Sequence, residues 1–216
     1  MSIEEVAVLA PEDREARRQG YAEAVWRIAE RDGAERVSMR AIAAEEGTSL
    51  GMLQHHFADK DEILALAIRG RILSKQARLE RAIWRLGASP DPARVLAVAL
   101  HHQLPLTPDL QQEAWLLQRW LASEARSPLK EEIRLDSERV LFEVIGGALN
   151  TAQGQGQLDE QADPGVLTDT LLALREGLMQ RLVLGRITGP RATEIIETEV
   201  GALLYDAMSD RGERES

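Results

Sequence analysis

The sequence predicts an all-α protein in which a small N-terminal helical unit is joined by a long helix to a larger helical body. Apolar residues recur three and four positions apart along most of the chain, which is the spacing of one buried helix face. The alternation of apolar and polar residues that marks β-strands is nearly absent. Glycine and proline separate the apolar segments, where helices begin and end.

The helix boundaries follow from capping residues and helix breakers. Gly33 ends the first helix, Ser38 is a candidate N-cap of a short second helix, and Gly47 ends that helix. Thr48 or Ser49 can cap a third short helix. The predicted helices cover, approximately, 12–31, 39–46, 49–56, 60–86, 92–103, 109–126, 128–156, 163–187 and 190–209.

The fourth helix marks the boundary between two domains. At 1.5 Å per residue it would span roughly 40 Å, which is long enough to join two bodies. We expect residues 12–60 to form the N-terminal unit and residues 61–209 the C-terminal body. The ends, 1–11 and 210–216, are expected to be disordered.

Composition limits the function classes. Hydrophobic residues make up 44% and charged residues 29%, as in a globular protein, and there is no cysteine. The absence of cysteine excludes disulfides and thiolate metal sites. No glycine-rich phosphate loop, HExxH or GxSxG motif is present, so we do not expect an enzyme or a cofactor. No secretion signal and no apolar run of membrane-spanning length occurs, so a cytoplasmic protein is expected.

Three residues in the N-terminal unit have the spacing of a helix-turn-helix. Ala43 is small enough to lie where two helices cross, Gly47 follows in the turn, and Leu53 faces back toward the preceding helix. The net charge of −10 opposes DNA binding, since phosphate contacts supply much of the affinity of DNA-binding proteins. A local positive edge is enough for a specific dimer, and an acidic remainder limits unspecific binding.

The same region resembles the N-terminal domain of TetR-like regulators. The resemblance covers about residues 21–66 and is carried by the segments YAEAVWRIAERDG, VSMRAIAAEEGTSLGML and HHFADKDEILAL. It implies a homodimer that binds double-stranded operator DNA through the helix starting near Thr48. The resemblance also implies a repressor that binds a palindromic operator and is released from it by a ligand.

The resemblance also implies DNA-binding residues. The recognition helix would present Thr48, Ser49, Leu50, Gly51, Met52, Gln54 and His55 to the bases, and Ser38, Arg40 and Lys60 would bind phosphates. Many members of the family have a tyrosine at the position of Gln54, so its role, backbone contact or adenine recognition, stays open. Gly51 lets the helix lie closer to the groove, and His56 is expected on the packing side.

The last two helices are the predicted dimer interface. Their leucine-rich stripes are wider than one neighbouring helix can cover, which favours a four-helix bundle between two subunits, with an ordinary intrachain core as the alternative. The residues expected to pair the subunits are Leu167, Leu171, Leu174, Leu178, Leu182, Ile196, Val200, Leu203 and Leu204.

The middle of the chain is similar to the BetI-like subgroup of these regulators. Choline-sensing members raise the possibility of an aromatic cage for a quaternary ammonium ion. The candidate pocket residues are Trp84, Trp115, Gln118 and Trp120, with core packing as the alternative for the tryptophans. The effector stays unidentified, and the adjacent His101 and His102 are not expected to bind a metal because they point about 100° apart on a helix.

A second hypothesis keeps the fold but not the DNA binding. A dimeric small-molecule-binding or interaction module with a degenerate DNA-binding domain would also explain Gln54 and the acidic charge. Sequence-selective, salt-sensitive binding of DNA distinguishes the two hypotheses.

Overall fold

The computed structural model describes residues 11–122 and 128–214. This part of the chain contains nine α-helices and a single-turn 3₁₀ helix at Ala34–Arg36, and no β-strand, which confirms the all-α prediction. The helices are α1 (Pro11–Asp32), α2 (Met39–Glu45), α3 (Leu50–His56), α4 (Lys60–Trp84), α5 (Pro92–His101), α6 (Pro108–Leu121), α7 (Pro128–Gly154), α8 (Pro164–Val183) and α9 (Gly189–Arg214).

The N-terminal unit has its own core. Tyr21 and Ile28 of α1, Ile42 of α2, Leu53 of α3 and Ile63 of α4 are almost completely buried in one cluster. Burying large apolar side chains of this kind contributes about 1.5–3 kcal/mol each, so the short helices α2 and α3 are held by tertiary packing more than by their own propensity.

The C-terminal body contributes to that same cluster. Leu116 and Trp120 of α6 and Ile133 of α7 are buried against the N-terminal unit. The first core therefore extends past residue 60, and α6 lies directly against the helices that carry the helix-turn-helix.

The second core fills the C-terminal body. It combines Leu79 of α4 with buried residues of α5, α7, α8 and α9. Since α4 supplies Ile63 to the first core and Leu79 to the second, it connects the two as a continuous helix.

Six of the nine residues expected to pair two subunits are buried in their own chain. Within one chain the neighbouring helices of the C-terminal body already cover them, so they belong to the second core, and their part in pairing two subunits stays a prediction. These six are Leu171, Leu178, Leu182, Ile196, Val200 and Leu204. Leu167, Leu174 and Leu203 are half-buried and pack against the same cluster.

The predicted disordered ends are only partly described. Residues 1–10 and 215–216 lie outside the described part, whereas α9 continues to Arg214, through positions where the sequence suggested disorder. Within the described residues no helix is both long and apolar enough to cross a membrane.

Candidate nucleic-acid interface

Local capping interactions define α2, the turn and α3. The Ser38 hydroxyl accepts a hydrogen bond from the Ala41 amide at 3.2 Å, and the Ser49 hydroxyl accepts one from the Met52 amide at 3.1 Å. Gly47 has φ of 65°, a conformation that residues with a side chain rarely adopt. The two helices of the helix-turn-helix therefore begin where the serines predicted, and the turn requires its glycine.

Buried contacts fix α3 against the rest of the N-terminal unit. Leu53 has no exposed surface, and it shares a core with Ile42 and Ala43 of α2. The Tyr21 hydroxyl lies 3.2 Å from Oγ1 of Thr48, so α1 also holds the residue that precedes α3. One face of α3 is thereby turned inward, and the opposite face is turned to solvent.

The exposed face carries most of the predicted base-contacting residues. Ser49, Gly51, Met52, Gln54 and His55 are exposed. The remaining two are less available: Leu50 is half-buried and packs against the core, and Thr48 is half-buried beside Tyr21.

Gly51 has no packing reason to be a glycine. A Cβ built at this position would meet nothing closer than Oγ of Ser49 at 3.9 Å, an ordinary van der Waals distance. Because glycine in a helix costs about 0.5–1 kcal/mol relative to alanine, its presence on the exposed face fits the close approach of an external surface.

Lys60 differs from the other predicted phosphate ligands. Ser38 and Arg40 are exposed at the start of α2, and Arg40 makes no ion pair within the described part of the chain. The Lys60 ammonium instead donates to the backbone carbonyl of Val37 and lies in a cleft of about 160 Å³ beside Arg119 and Trp120. Burial, assisted by Arg119, lowers the pKa of Lys60 below its ordinary value.

Two arginines of α1, Arg14 and Arg17, were not predicted to contact DNA but lie beside the end of α3. His56, buried as expected, has its pKa lowered by burial and then by its neighbours His55, Arg17, Arg14 and Arg18. Arg18 has a structural role, since its guanidinium contacts the His56 carbonyl and lies 2.9 Å from Glu62. Arg14 and Arg17 are exposed.

Other arginines of the N-terminal unit are neutralised by ion pairs. Arg31 lies 2.9 Å from Glu45 and 2.8 Å from Asp32, and Arg27 pairs with Glu45 and Glu46. Arg14, Arg17 and Arg40 make no ion pair in the described residues, so positive charge is left free around α3 although the unit as a whole is not basic. Which arginines are paired depends on the tertiary arrangement of α1, α2 and α3, and sequence alone does not reveal it.

The predicted pocket residues do not converge on one site. Trp84 is 82% exposed at the end of α4, whereas Trp120 is buried and Trp115 is half-buried against the first core. The guanidinium of Arg119 lies 5.1 Å from the ring centre of Trp115, and the Lys130 ammonium lies 5.2 Å from that of Trp120. Cations of the chain itself already occupy these rings, so the structure contains no cage formed by the three indoles. Gln118 is half-buried on the same helix.

Comparison with protein families matches the N-terminal unit. Residues 17–67 match the family described as bacterial regulatory proteins, tetR family. This range contains α2, α3 and the first turns of α4. It stops before most of the C-terminal body, so the likeness of that body to the BetI-like subgroup stays a prediction.

Individual proteins match over nearly the whole chain. The HTH-type transcriptional regulator PksA of Bacillus subtilis (strain 168) is 27% identical over 204 residues, 94% of this chain and 97% of that protein. A putative transcriptional regulator from Saccharomonospora viridis, solved in complex with choline, superposes with a TM-score of 0.72 at 24% identity, over 85% of this chain and 95% of that chain. AibR in complex with isovaleryl coenzyme A and operator DNA superposes with a TM-score of 0.59 at 20% identity, over 87% of this chain and 98% of that chain.

Proposed function

The chain is a transcriptional regulator of the TetR family, and from this premise we propose that it is a homodimeric repressor released from a palindromic operator by a small-molecule effector. One observation carries the proposal: α3 is locked inward by Leu53 and presents Ser49, Gly51, Gln54 and His55 to solvent. Hydroxyl, amide and imidazole groups hydrogen-bond to base edges and phosphates. We also propose a cytoplasmic location, because operator DNA is found there.

The charge distribution supports DNA binding despite the net charge of −10. Arg14, Arg17 and Arg40 are exposed on the same unit as α3 and make no ion pair with any residue that the structure describes, and Ser38 caps α2 with its exposed hydroxyl. Phosphate contacts from such groups set the register on the duplex, whereas α3 reads the bases. The intact caps and turn argue against a degenerate DNA-binding domain.

The face of α8 that turns away from its own core supports pairing of two subunits. Val166 and Leu184 are 61% and 52% exposed, and exposed Thr170, Ala173 and Gly177 lie between them at spacings of four, three and four residues. This is the period of a helix–helix seam, and small residues allow two helices to approach closely. A two-fold axis here would present two copies of α3 to one duplex.

Ligand release is proposed from the family and from two neighbours. The Saccharomonospora viridis protein is in complex with choline, and AibR is in complex with isovaleryl coenzyme A and operator DNA. In this chain, α6 packs on α1, so a ligand that moves α6 would act on the helix-turn-helix directly. Release follows if the ligand binds more tightly to a form whose two α3 helices miss successive grooves.

A gel-shift assay against genomic fragments tests the function. We expect retention of a few fragments as the dimer complex, weakening steeply with salt. Gly177→Arg should give a monomer in size-exclusion chromatography with light scattering and lose operator binding, because arginine blocks the α8 seam. Gly147→Arg, at an exposed site on α7 with nothing within 4 Å, is the matched control and should stay dimeric. Binding that is uniform over all fragments would reject the regulator, and a dimer with Gly177→Arg would reject the α8 interface.

A further inference from the structure

Two cations from different helices lie in the interior of the C-terminal body. Lys75 of α4 is largely buried, and its ammonium donates to the carbonyl of Gln103 at 3.1 Å. Arg175 of α8 has a side chain only 13% exposed. The two act on each other electrostatically: Arg175 follows burial as the second cause that lowers the pKa of Lys75, to about 8.

The carboxylates that face this pair are bound elsewhere. Glu113 of α6 lies 3.3 Å from Arg71, and Glu138 of α7 lies 3.1 Å from Arg134. The remaining carboxylate, Glu176, lies 3.0 Å from Arg175 but is 59% exposed to solvent. The interior positive charge is therefore only partly compensated, which is costly in a region of low dielectric constant.

One polar atom of the pair has no partner. Nε of Arg175 is buried and makes no hydrogen bond within the described residues. A buried guanidinium nitrogen without an acceptor is uncommon, because arginine donates readily to planar oxyanions. The turn after α5 lies in the same positive region, since Arg78, Lys75 and His101 all act, after burial, to lower the pKa of His102.

The surroundings of the pair are apolar. Leu171 and Leu178 lie one helical turn before and after Arg175, and Leu79 lies one turn after Lys75. All three leucines are buried in the second core. A ligand at the two cations would therefore meet charge at one end and hydrocarbon around it.

We propose that Lys75 and Arg175 form the head-group site of an organic anion, a carboxylate or a phosphate monoester with an apolar tail, and that such an anion is the effector. The effector role rests on the proposed function. The same positive charge repels a quaternary ammonium ion, so choline is not the expected ligand.

Binding of a matched ligand series to the full chain, without DNA, tests the head-group chemistry. The ligands are hexanoate, hexyl phosphate, hexanamide, hexyltrimethylammonium, choline and inorganic phosphate. Their binding is measured by calorimetry and by thermal shift. We expect saturable binding of hexanoate or hexyl phosphate, and the tighter of the two identifies the head group. The amide, both ammonium ions and inorganic phosphate should bind at least tenfold more weakly. Equal binding of amide and anion, tighter binding of an ammonium ion, or no saturable binding of either hexyl anion would overturn the proposal.

Substitutions assign the site to the two residues. Lys75→Met and Arg175→Met should each weaken the preferred anion at least tenfold and leave binding of the amide unchanged. Arg81→Met, at an exposed position of the same helix as Lys75, is the matched control. Melting temperatures check that the variants fold, and Lys75→Arg, which keeps the charge, should retain binding. Undiminished anion binding in both methionine variants would reject these residues.

The outcome is separable from the proposed function. If the protein binds hexanoate through Lys75 but retains no genomic fragment, the anion site stands and the proposed regulatory function is rejected. If the protein binds operator DNA but has the same affinity for the amide and the anion, the regulatory function stands and the anion site is rejected.

Discussion

Nε of Arg71 lies 3.3 Å from Oε1 of Glu113, and the same guanidinium lies 3.2 Å from Glu30. Arg71 is on α4, Glu113 is on α6 of the C-terminal body and Glu30 is on α1 of the N-terminal unit. The Arg71 guanidinium also lies 5.2 Å from the ring centre of Trp26. This one side chain therefore joins the helix that contains Lys75, the helix that packs on the N-terminal unit, and the N-terminal unit itself.

We predict that Arg71→Met uncouples effector from operator. An anion at Lys75, one helical turn from Arg71, would repel the Glu113 carboxylate and so weaken its contact with Arg71. In the native protein the preferred hexyl anion should lower operator affinity about 5–150-fold, the usual range of allosteric coupling. In Arg71→Met the anion should still bind, but operator affinity should change less than about twofold. Titration of operator with and without the anion measures both.

Arg69→Met is the control for this coupling. Arg69 lies on the same helix and pairs with Glu132 at 3.2 Å, but both side chains are about half exposed. In Arg69→Met the anion should lower operator affinity by the same factor as in the native protein. Full coupling in Arg71→Met would contradict the assignment of Arg71 as the connection.

Gly51→Ala should separate folding from DNA binding. Alanine favours the helix by about 0.5–1 kcal/mol, and the intrachain space at this position is open, so the melting temperature should rise. Operator affinity should fall about tenfold, or about 1.4 kcal/mol, because the added methyl holds α3 away from the groove. Differential scanning calorimetry and gel shifts measure the two effects.

Gly147→Ala is the matched control for Gly51. Gly147 is also an exposed helical glycine with nothing near its absent Cβ. It should show the stabilisation without the loss of affinity. Undisturbed operator binding by Gly51→Ala would mean that this face of α3 does not approach DNA.

Arg14 and Arg17 should act as phosphate ligands. Each Arg→Gln change should weaken binding to all sequences alike and reduce the slope of log affinity against log salt by about 0.9, the value for one lost phosphate contact. Arg31→Gln is the control, because Arg31 is paired with Asp32 and Glu45, and its slope should not change. A changed sequence preference instead of a changed slope would give the α1 arginines a role in base recognition.

Lys75→Met should stabilise the protein at neutral pH. Burial, followed by Arg175, lowers the pKa of Lys75 to about 8, while Glu113 opposes and Arg78 assists that shift. The unfolded chain holds the proton up to an ordinary pKa of about 10.4, so native stability rises from about pH 8 to about pH 10 by up to about 3 kcal/mol. Below pH 8 both states are protonated and the full penalty remains.

Chemical denaturation at neutral and alkaline pH checks this prediction. The free energy of unfolding of Lys75→Met should exceed the native value near neutral pH, and the difference should shrink as the pH rises. Lys75 also acts to lower the pKa values of His102 and Glu113, so their titration differs between the two proteins. The comparison is therefore made from about pH 8 to about pH 10, where Lys75 itself titrates. A destabilised Lys75→Met at neutral pH would show that the ammonium is fully compensated inside the fold.

The sequence is most informative where structure is local. Ser38, Gly47 and Ser49 act within one helical turn of themselves, so the caps and the turn of the helix-turn-helix could be predicted. The inward face of α3 could be predicted too, because Leu53 needs only the neighbouring helix as its partner. The match of residues 17–67 to the tetR family agrees with that reading.

Longer-range relationships could not be predicted in the same way. A stripe such as Leu171 and Leu178 shows that a helix face is covered, but not whether its own chain or a second subunit covers it. Spacing alone could not show that Trp84 points to solvent while Trp120 packs beneath the N-terminal unit. The position of Arg14 and Arg17 beside α3, and of Lys75 beside Arg175, arises from helices distant in sequence.

Selection of bound DNA from a random library tests the central claim most directly. If two copies of α3 read one face of a duplex, the enriched sites will be inverted repeats whose half-site centres lie about 10 base pairs, or a multiple of one helical turn, apart. Light scattering of the complex should then give an even number of chains per site. Enrichment of a single unrepeated half-site bound by one chain, or no enrichment at all, would contradict the account.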